Sequence, residues 1–458
     1  MALKDQRGEP VSTTNAKALQ HFEGALTLLN GFFADPLATI DQALAEDPDF
    51  VMGHCFRAGL MMISTEKGAE PALRAGVEAV ERSGKANARE RGHIAALRAW
   101  LSGDFQGAAD LYATLLIEHP RDLLALQLAH QCDFFLGQSM MLRDRIARVL
   151  PFWDDSVPGY SYVLGMHAFG LEEMNDYRRA EETGRRALDL EPRDPWAVHA
   201  VAHVMEMEGR LSDGIDWLTG RRNDWSVDNM FAYHNWWHLG LYHLDLGDTA
   251  RVLEVYDSGI RPNPSTVALE MVDASAMLWR LHLRGIDVGN RWGELADKWA
   301  AVAEDAYYGF NDAHAMMAFV ADGRNADAAR LLSALTRRAG EAGTNAMMTR
   351  DVALPMSRAI HAFGEERYGD AVDLLLAVRP IAQRFGGSHA QRDIVHLTLI
   401  EAALRDGQSG LARALAAERT ALKPASPFNW SLTARSLAAS GDARGAALAQ
   451  NRARMLAA

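Results

Sequence analysis

Two series of residues recur at one fixed interval along the first half of the chain. In the first series each residue follows the last by 72 positions, and the members are Pro48, Pro120, Pro192 and Pro264. The second series has the same step of 72 and consists of Asp104, Asp176 and Asp248. A fixed long period is typical of stacked units that cannot bury their apolar faces alone. These 458 residues are therefore interpreted first as a repeat array.

The residues between these markers have the composition of helices. The stretch 90–120 is rich in Ala, Leu, Glu and Arg, which are strong helix formers. Its apolar residues recur at three- and four-residue steps, as in Leu97, Trp100 and Leu101. No stretch shows the sustained alternation of a strand with hairpin turn signals. A period of 72 holds about two helix-turn-helix units of ~34 residues, so the sequence predicts an all-α fold.

The local pattern also fits a tetratricopeptide repeat. In GDFQGAADLYATLLIEHP, the small residues Ala108 and Ala109 occupy positions where two helices cross closely, and Tyr112 follows. We therefore predict one α-solenoid of tetratricopeptide-like helix-turn-helix repeats over residues 1–458, curled around a central cavity. Regular 72-residue double repeats are expected over about 30–265, and less regular helical pairs over 266–458. Breaks are expected at 257–266 and at 386–387.

Composition excludes several classes of function. The formal net charge is −13, which disfavours a nucleic-acid binder, since phosphate binding needs a basic face. The two cysteines, Cys55 and Cys132, cannot form a disulfide framework and favour a reducing, cytoplasmic location. The charged start, MALKDQRGEP, is not a signal peptide, and no apolar run reaches the ~20 residues of a membrane span. Self-association is left open.

Superposing the four units on their prolines shows that the third unit differs. The positions seven, eleven and fourteen residues past each proline share one helical face. In chain order they hold Cys55, Gly59 and Met62; Gln127, Gln131 and Phe134; His199, His203 and Glu206; and Met271, Ser275 and Leu278. Only the third unit places two histidines and a carboxylate there. The other units do without this chemistry, so the third unit is the candidate functional site.

The next helix also carries histidines at positions where the equivalent helix of the preceding unit has none. His234 and His238 form a second His-x-x-x-His pair, and Trp237 lies between them. The equivalent residues one period earlier are Tyr162 and Met166. Two pairs on neighbouring helices could supply four imidazoles to one site.

Further polar residues follow downstream. Asp273 lies on the helix after Pro264, and His314 lies in DAHAMMAF. The segment GGSHAQRDIVHL supplies His389, Arg392 and Asp393. In an array that curls inward, helices far apart in sequence can face one cavity, so we expect these residues to converge with the third unit.

Five of these segments together resemble the tetratricopeptide repeat protein 38 family. They are PWAVHAVAHVMEMEGR, HNWWHLGLYHLDLGD, VDASAMLWRLHLRG, DAHAMMAF and GGSHAQRDIVHLTLIEAAL. The resemblance covers most of the chain and implies a helical-repeat fold, without implying any particular activity. The residues inside its recurring motifs are His199, His203, Glu206, His234, His238, Asp273, His314, His389 and Asp393.

Four interpretations of this chemistry stay open at the level of sequence. Histidines four apart on a helix can bind one divalent metal ion, and the candidate ligands are His199, His203, His234 and His238. Without a metal, imidazoles paired with carboxylates can transfer protons near neutral pH. The groove can also hold a small molecule or peptide without chemistry, as tetratricopeptide arrays commonly do. The fourth interpretation is a purely structural hydrogen-bond network.

We favour an enzyme with hydrolytic or proton-transfer chemistry on a small polar, anionic substrate. The predicted catalytic residues are His203, Glu206, His238, His389 and Asp393. The predicted substrate-binding residues are His199, His234, Trp237, Asp273, His314 and Arg392. The alternative is a non-catalytic binding protein that holds a peptide or metabolite in its concave groove.

Overall fold

The computed structural model describes residues 3–457, which form α-helices joined by short turns. This part of the chain contains no β-strand, only the isolated bridges Lys4 to Pro10 and Phe33 to Asn229. The predicted all-α fold is therefore confirmed. None of its helices combines the length and the hydropathy needed to cross a membrane.

The chain folds into two compact units. The first unit comprises Met1–Val201, Asn223–Phe231 and Glu341–Met347. The second comprises Ala202–Arg222, Ala232–Gly340 and Met348–Ala458. The single array curled around a central cavity stays a prediction.

Within residues 3–191, the structure has ten α-helices before the third proline of the series. They are α1 (Ala16–Asn30), α2 (Pro36–Glu46), α3 (Val51–Ile63), α4 (Glu70–Ser83), α5 (Ala88–Leu101), α6 (Phe105–Glu118), α7 (Leu123–Phe135), α8 (Ser139–Val149), α9 (Tyr160–Glu173) and α10 (Tyr177–Leu190). Two short 3-10 segments, Lys67–Ala69 and Leu150–Phe152, interrupt them.

Sixteen helices follow in the described part of the chain. They are α11 (Pro195–Glu208), α12 (Leu211–Gly220), α13 (Arg222–Trp225), α14 (Ala232–Leu246), α15 (Thr249–Val255), α16 (Ala268–Leu283), α17 (Arg291–Ala300), α18 (Gly309–Ala321), α19 (Asn325–Ala339), α20 (Thr344–Met348), α21 (Leu354–Gly364), α22 (Tyr368–Val378), α23 (His389–Arg405), α24 (Ser409–Leu422), α25 (Pro427–Ala439) and α26 (Ala443–Ala457). A 3-10 segment, Arg379–Phe385, and two π-helical segments, Tyr256–Ile260 and Thr349–Ala353, lie among them.

The helix starts reproduce the period seen in the sequence. Helices α3, α7 and α11 begin at residues 51, 123 and 195, and α16 begins at 268. The Asp series directly precedes α6, α10 and α15, which begin at 105, 177 and 249. Two of these aspartates cap their helices: the side chain of Asp104 accepts from Gly107 N–H and that of Asp248 from Arg251 N–H. The helical repeat is therefore confirmed.

The residue before each of these aspartates has a left-handed backbone. Gly103 and Gly247 both have φ of +83°, and Asn175 has φ of +63°. Glycine adopts this conformation without strain, and asparagine tolerates it better than most residues. The turn that closes each helix pair therefore requires Gly or Asn at this position of the period.

The regular pattern ends where the sequence predicts breaks. Helix α15 runs into the π-helical segment Tyr256–Ile260, and the next helix begins only at Ala268. Gly386 and Gly387, with φ of +90° and +77°, separate the 3-10 segment from α23. Within the second unit, α16 packs against α14, α18 and α23, while α25 packs against α14 and α24. These contacts position the candidate site.

Candidate functional site

Four imidazoles from three helices lie in contact within the second unit. His203 is on α11, His234 and His238 are on α14, and His389 begins α23. The His203 and His238 ring centroids are 4.3 Å apart, and those of His234 and His238 are 4.9 Å apart with perpendicular planes. The ring centroids of His389 and His203 are 5.7 Å apart. We call these four residues the histidine cluster.

Two carboxylates orient the histidines of α14. His234 Nδ1 donates to Asp273 Oδ2 at 2.6 Å, and His238 Nδ1 donates to Glu206 Oε2 at 3.2 Å. An ionised carboxylate only accepts, so each contact places the imidazole proton on Nδ1 and makes Nε2 the basic nitrogen. His234 with Asp273, and His238 with Glu206, thus form two carboxylate–imidazole pairs, and all four residues are among those predicted from the sequence.

Each carboxylate has a second partner on its other oxygen. The Gln391 amide donates to Asp273 Oδ1 at 3.4 Å, and Lys423 Nζ donates to Glu206 Oε1 at 2.9 Å. Burial opposes ionisation of Glu206, but Lys423 and His238 outweigh it and hold the pKa of that carboxyl well below its usual range. Burial likewise opposes the ammonium, but Glu206 outweighs it and raises the pKa of Lys423. Both groups are charged at neutral pH.

The environment keeps His238 neutral. Burial, reinforced by the neighbouring His203, holds the pKa of His238 well below its ordinary value. On the same helix, the Trp237 indole stacks on the His234 ring with an interplanar angle of 10° and a centroid distance of 5.4 Å. The Arg280 guanidinium lies 5.1 Å from the centroid of Trp237. This packing orients the α14 rings.

A cavity of 340 Å³ adjoins the cluster in the same unit. His389 belongs to the histidine cluster and also lines this cavity, and so does Lys423, the partner of Glu206. Its full lining is Arg379, Ala382, Gln383, His389, Arg392, Asp393, His396, Glu418, Arg419, Leu422, Lys423 and Asn429. Four of these side chains are cationic and two are anionic, in a chain whose formal net charge is −13. Basic residues are thus concentrated locally against the charge of the whole molecule.

The acidic residues of the cavity are held by its arginines. Two guanidinium nitrogens of Arg419 donate to the two carboxylate oxygens of Asp393, and the bond from Nη2 to Oδ2 is 3.0 Å long. The Arg419 Nε donates to Asn429 Oδ1 at 2.9 Å. Burial would raise the pKa of Asp393, but Arg419 outweighs burial and lowers it. Asp393 is therefore a fixed anion rather than a proton donor.

The other wall of the cavity pairs an arginine with an imidazole. Arg379 contacts Glu418, and its Nε donates to His396 Nε2 at 3.3 Å. Burial lowers the pKa of His396, which favours the neutral ring that accepts this bond. Arg392 donates to the Gly387 carbonyl oxygen at the start of α23.

Seven of the residues singled out from the sequence meet in the second unit. They are His203, Glu206, His234, Trp237, His238, Asp273 and His389. Arg392 and Asp393 line the adjoining cavity. The roles predicted for these residues stay predictions.

Two predicted residues remain, His199 and His314. The His199 ring belongs to the first unit, where it lies 5.0 Å from Trp196, 5.2 Å from Phe169 and 5.1 Å from Phe231. His314 Nδ1 donates at 2.8 Å to the Phe310 carbonyl of its own helix, and burial lowers the pKa of His314 to about 4. The surroundings of His314 are those of a packed core imidazole.

Sequence reasoning missed most of the basic residues of the cavity. Lys423 is separated from Glu206 by 217 residues, and Arg419 follows Asp393 by 26. Lys423 directly follows α24, where its sequence context, KPASP, is that of a polar connection. No local spacing signals either pairing, because both depend on how the helices of the second unit pack.

No protein-family profile matches the chain. Among solved structures, the human IFIT1 dimer with PPP-AAAA aligns with TM-score 0.42 and 12% identity over 96% of this chain and 95% of that one. Cut9 in the APC/C hetero-tetramer Cut9-Hcn1 aligns with TM-score 0.31 and 10% identity over 96% of each chain. The P58(IPK) TPR domain aligns with TM-score 0.20 and 15% identity over 86% of this chain and 99% of that one. Every one of these scores is below 0.5, so the alignments carry no argument about function.

Proposed function

We propose that the second unit is an enzyme module that binds a small organic anion in the cavity beside the histidine cluster and transfers a proton at His389. The observation that carries the proposal is the convergence of Arg379, Arg392, Arg419 and Lys423 on one cavity that His389 also lines. The hydrolytic variant of this chemistry, with water as the second reactant, uses the same groups.

Electrostatics favours an anionic occupant. The lining holds four cations against two carboxylates, and Glu206 beside Lys423 adds a third carboxylate, which leaves an excess of one positive charge before the histidines are counted. A concave, partly enclosed site strengthens attraction to an anion because its walls exclude water. Arginine also presents a planar fork that matches a carboxylate or phosphate. The volume of 340 Å³ suits a metabolite-sized molecule.

The histidine cluster supplies the groups for proton transfer. His389 begins α23, directly after the Ser388 cap, so it lies at the positive end of the helix dipole. Its ring is next to His203, which in turn contacts His238 and, through it, the Glu206 carboxylate. We assign His389 as the catalytic residue, and His203, His238 and Glu206 as positioning residues. The His389 imidazole can accept and release a proton near neutral pH, and the contacts behind it orient its ring.

A thermal-shift panel tests the binding step. The probes are succinate, citrate, inorganic phosphate and glycerol 3-phosphate, with uncharged succinamide as the matched control. We expect at least one anion to raise the melting temperature and succinamide to leave it unchanged.

Two matched variants locate the binding. Arg379→Gln and Arg392→Gln remove cations of the cavity, whereas Arg384→Gln removes an exposed arginine of the same 3-10 segment outside it. Loss of one charge-assisted hydrogen bond costs about 1.5–3 kcal/mol, so the first two should weaken binding roughly 10- to 100-fold. Equal effects of all three variants would contradict the proposed site.

Catalysis is tested separately with the anion that binds. His389→Gln should abolish turnover of that anion while leaving its affinity within a few-fold. Saturable binding with no turnover in the wild type would favour the alternative function, a non-catalytic protein that holds a metabolite or peptide. The membership in the tetratricopeptide repeat protein 38 family and the absence of nucleic-acid binding stay predictions.

A further inference from the structure

We infer that His203, His234 and His238 form a binding site for one divalent transition-metal ion, of which zinc is the expected occupant. The proposal concerns the interior of the histidine cluster and does not depend on what the adjoining cavity binds.

The candidate ligand atoms lie close together. Each of the three histidines offers a ring nitrogen, and these nitrogens lie within 4.8 Å of one another. A tetrahedral zinc site with Zn–N bonds of 2.0–2.1 Å needs nitrogens about 3.3 Å apart. Binding an ion therefore requires the nitrogens to approach one another by up to about 1.5 Å, the difference between 4.8 and 3.3 Å. All three residues belong to the second unit, and all three are buried.

The outer contacts are those that metal-binding histidines use. A metal-bound imidazole usually donates its other ring N–H to a carboxylate, which fixes its orientation and increases its basicity. His234 and His238 each donate Nδ1–H to such a carboxylate, Asp273 and Glu206. Both contacts leave Nε2 as the nitrogen with the lone pair. Carboxylate contacts of this kind on two neighbouring histidines are more than a packed core requires.

The ligand type selects the metal. Imidazole nitrogens suit zinc, copper, iron and nickel, whereas calcium and magnesium take oxygen ligands. Three protein ligands also leave a fourth tetrahedral position open, as in catalytic rather than structural zinc sites.

The other repeat units indicate that the cluster is not needed for folding. Two 72-residue periods earlier, the positions of His203 and Glu206 are occupied by Gly59 and Met62. One period later they are occupied by Ser275 and Leu278. Burying several imidazoles together costs desolvation that an apolar residue avoids. An ion bound by these rings would compensate for that cost.

The test measures metal binding alone, on the full chain purified without a histidine tag and stripped with a chelator. Cobalt(II) is titrated into the protein and followed by its visible d–d absorption, and zinc content is measured by mass spectrometry after dialysis. We expect one ion per chain and cobalt bands of four-coordinate intensity. His238→Ala and His234→Gln should each reduce cobalt affinity at least tenfold and lose the four-coordinate bands.

A residue of the same helix provides the control. His243 lies beyond His238 on α14 and faces Asp248, 4.0 Å away. His243→Ala should bind cobalt like the wild type. Asp273→Asn should keep the four-coordinate spectrum but weaken binding roughly 10- to 100-fold, the usual effect of removing an outer carboxylate.

Three results would overturn the proposal. They are no cobalt or zinc binding by the wild type at micromolar concentrations, an equal loss in His243→Ala and His238→Ala, and six-coordinate cobalt spectra with no change in the histidine variants. Circular dichroism of each variant establishes that it is folded. Anion binding by the stripped protein is measured separately, so failure of the metal site and failure of the proposed function are distinguishable.

Discussion

Replacing Lys423 by methionine removes the cation that compensates a buried carboxylate. Lys423 Nζ and Glu206 Oε1 are 2.9 Å apart, and the two side chains are only 16% and 12% exposed. At an effective dielectric constant of 20, this separation corresponds to an attraction of about 6 kcal/mol. Desolvation of both charges offsets much of it, so the pair itself contributes little net stability. Removing one partner is different, because it leaves Glu206 buried and uncompensated.

We expect Lys423→Met to reduce the free energy of unfolding by about 3–5 kcal/mol. The double variant Lys423→Met with Glu206→Gln should be clearly more stable than Lys423→Met alone, because no uncompensated charge remains. Urea denaturation followed by far-ultraviolet circular dichroism gives both values from the shift in midpoint.

An exposed pair serves as the control. Lys85 and Asp49 form an ion pair of 2.6 Å in which the side chains are 58% and 56% exposed. Lys85→Met should leave the midpoint unchanged within error, because exposed pairs contribute little. A loss in Lys423→Met no larger than that in Lys85→Met would refute the reasoning, as would a double variant less stable than Lys423→Met.

Three further predictions concern other parts of the chain. Burial raises the pKa of Asp312 to about 8. The protonated carboxyl therefore stabilises the fold fully below pH ~4, and this contribution is lost as the pH rises through 8. In denaturation series at different pH values, Asp312→Asn should reduce the pH-dependent decline in the free energy of unfolding by up to ~1.4 kcal/mol per pH unit. Gly247→Ala, at φ +83°, should lower the melting temperature, whereas Gly410→Ala, in a helix with open space around it, should raise it slightly. Cys55 and Cys132 are buried, and burial raises the pKa of both thiols, so a thiol reagent should label them only after denaturation.

Much of the fold could be predicted because each unit of the repeat is marked by residues at its own helix turns. The aspartate caps and the left-handed residues at Gly103, Asn175 and Gly247 recur at the helix turns themselves, so their spacing alone gives the register. The division into two compact units has no such signal. It falls inside α11, between Val201 and Ala202, where the sequence reads as continuous helix.

The candidate site could be predicted only where it departs from the repeat. His203, Glu206, His234 and His238 differ in type from the residues at equivalent positions, and the structure brings them together. His199 shares the helical face of His203 and belongs to the first unit, where its ring contacts Phe169 and Trp196. The periodicity places a residue on a face, but it does not say which neighbour that face meets.

The basic residues of the cavity lie beyond what spacing can show. Arg379, Arg419 and Lys423 occupy ordinary positions near the ends of helices, where basic residues are common on solvated surfaces. Their convergence depends on the packing of α23, α24 and α25. An anion site assembled in this way has no motif in the linear sequence.

The most direct test of the central claim is a crystal structure of the full chain with the panel anion that gives the largest thermal shift. We predict electron density for one anion in the cavity, within hydrogen-bond distance of Arg392 and next to the His389 ring. Density for the anion elsewhere on the molecule, with the cavity of the second unit empty of it, would contradict the account.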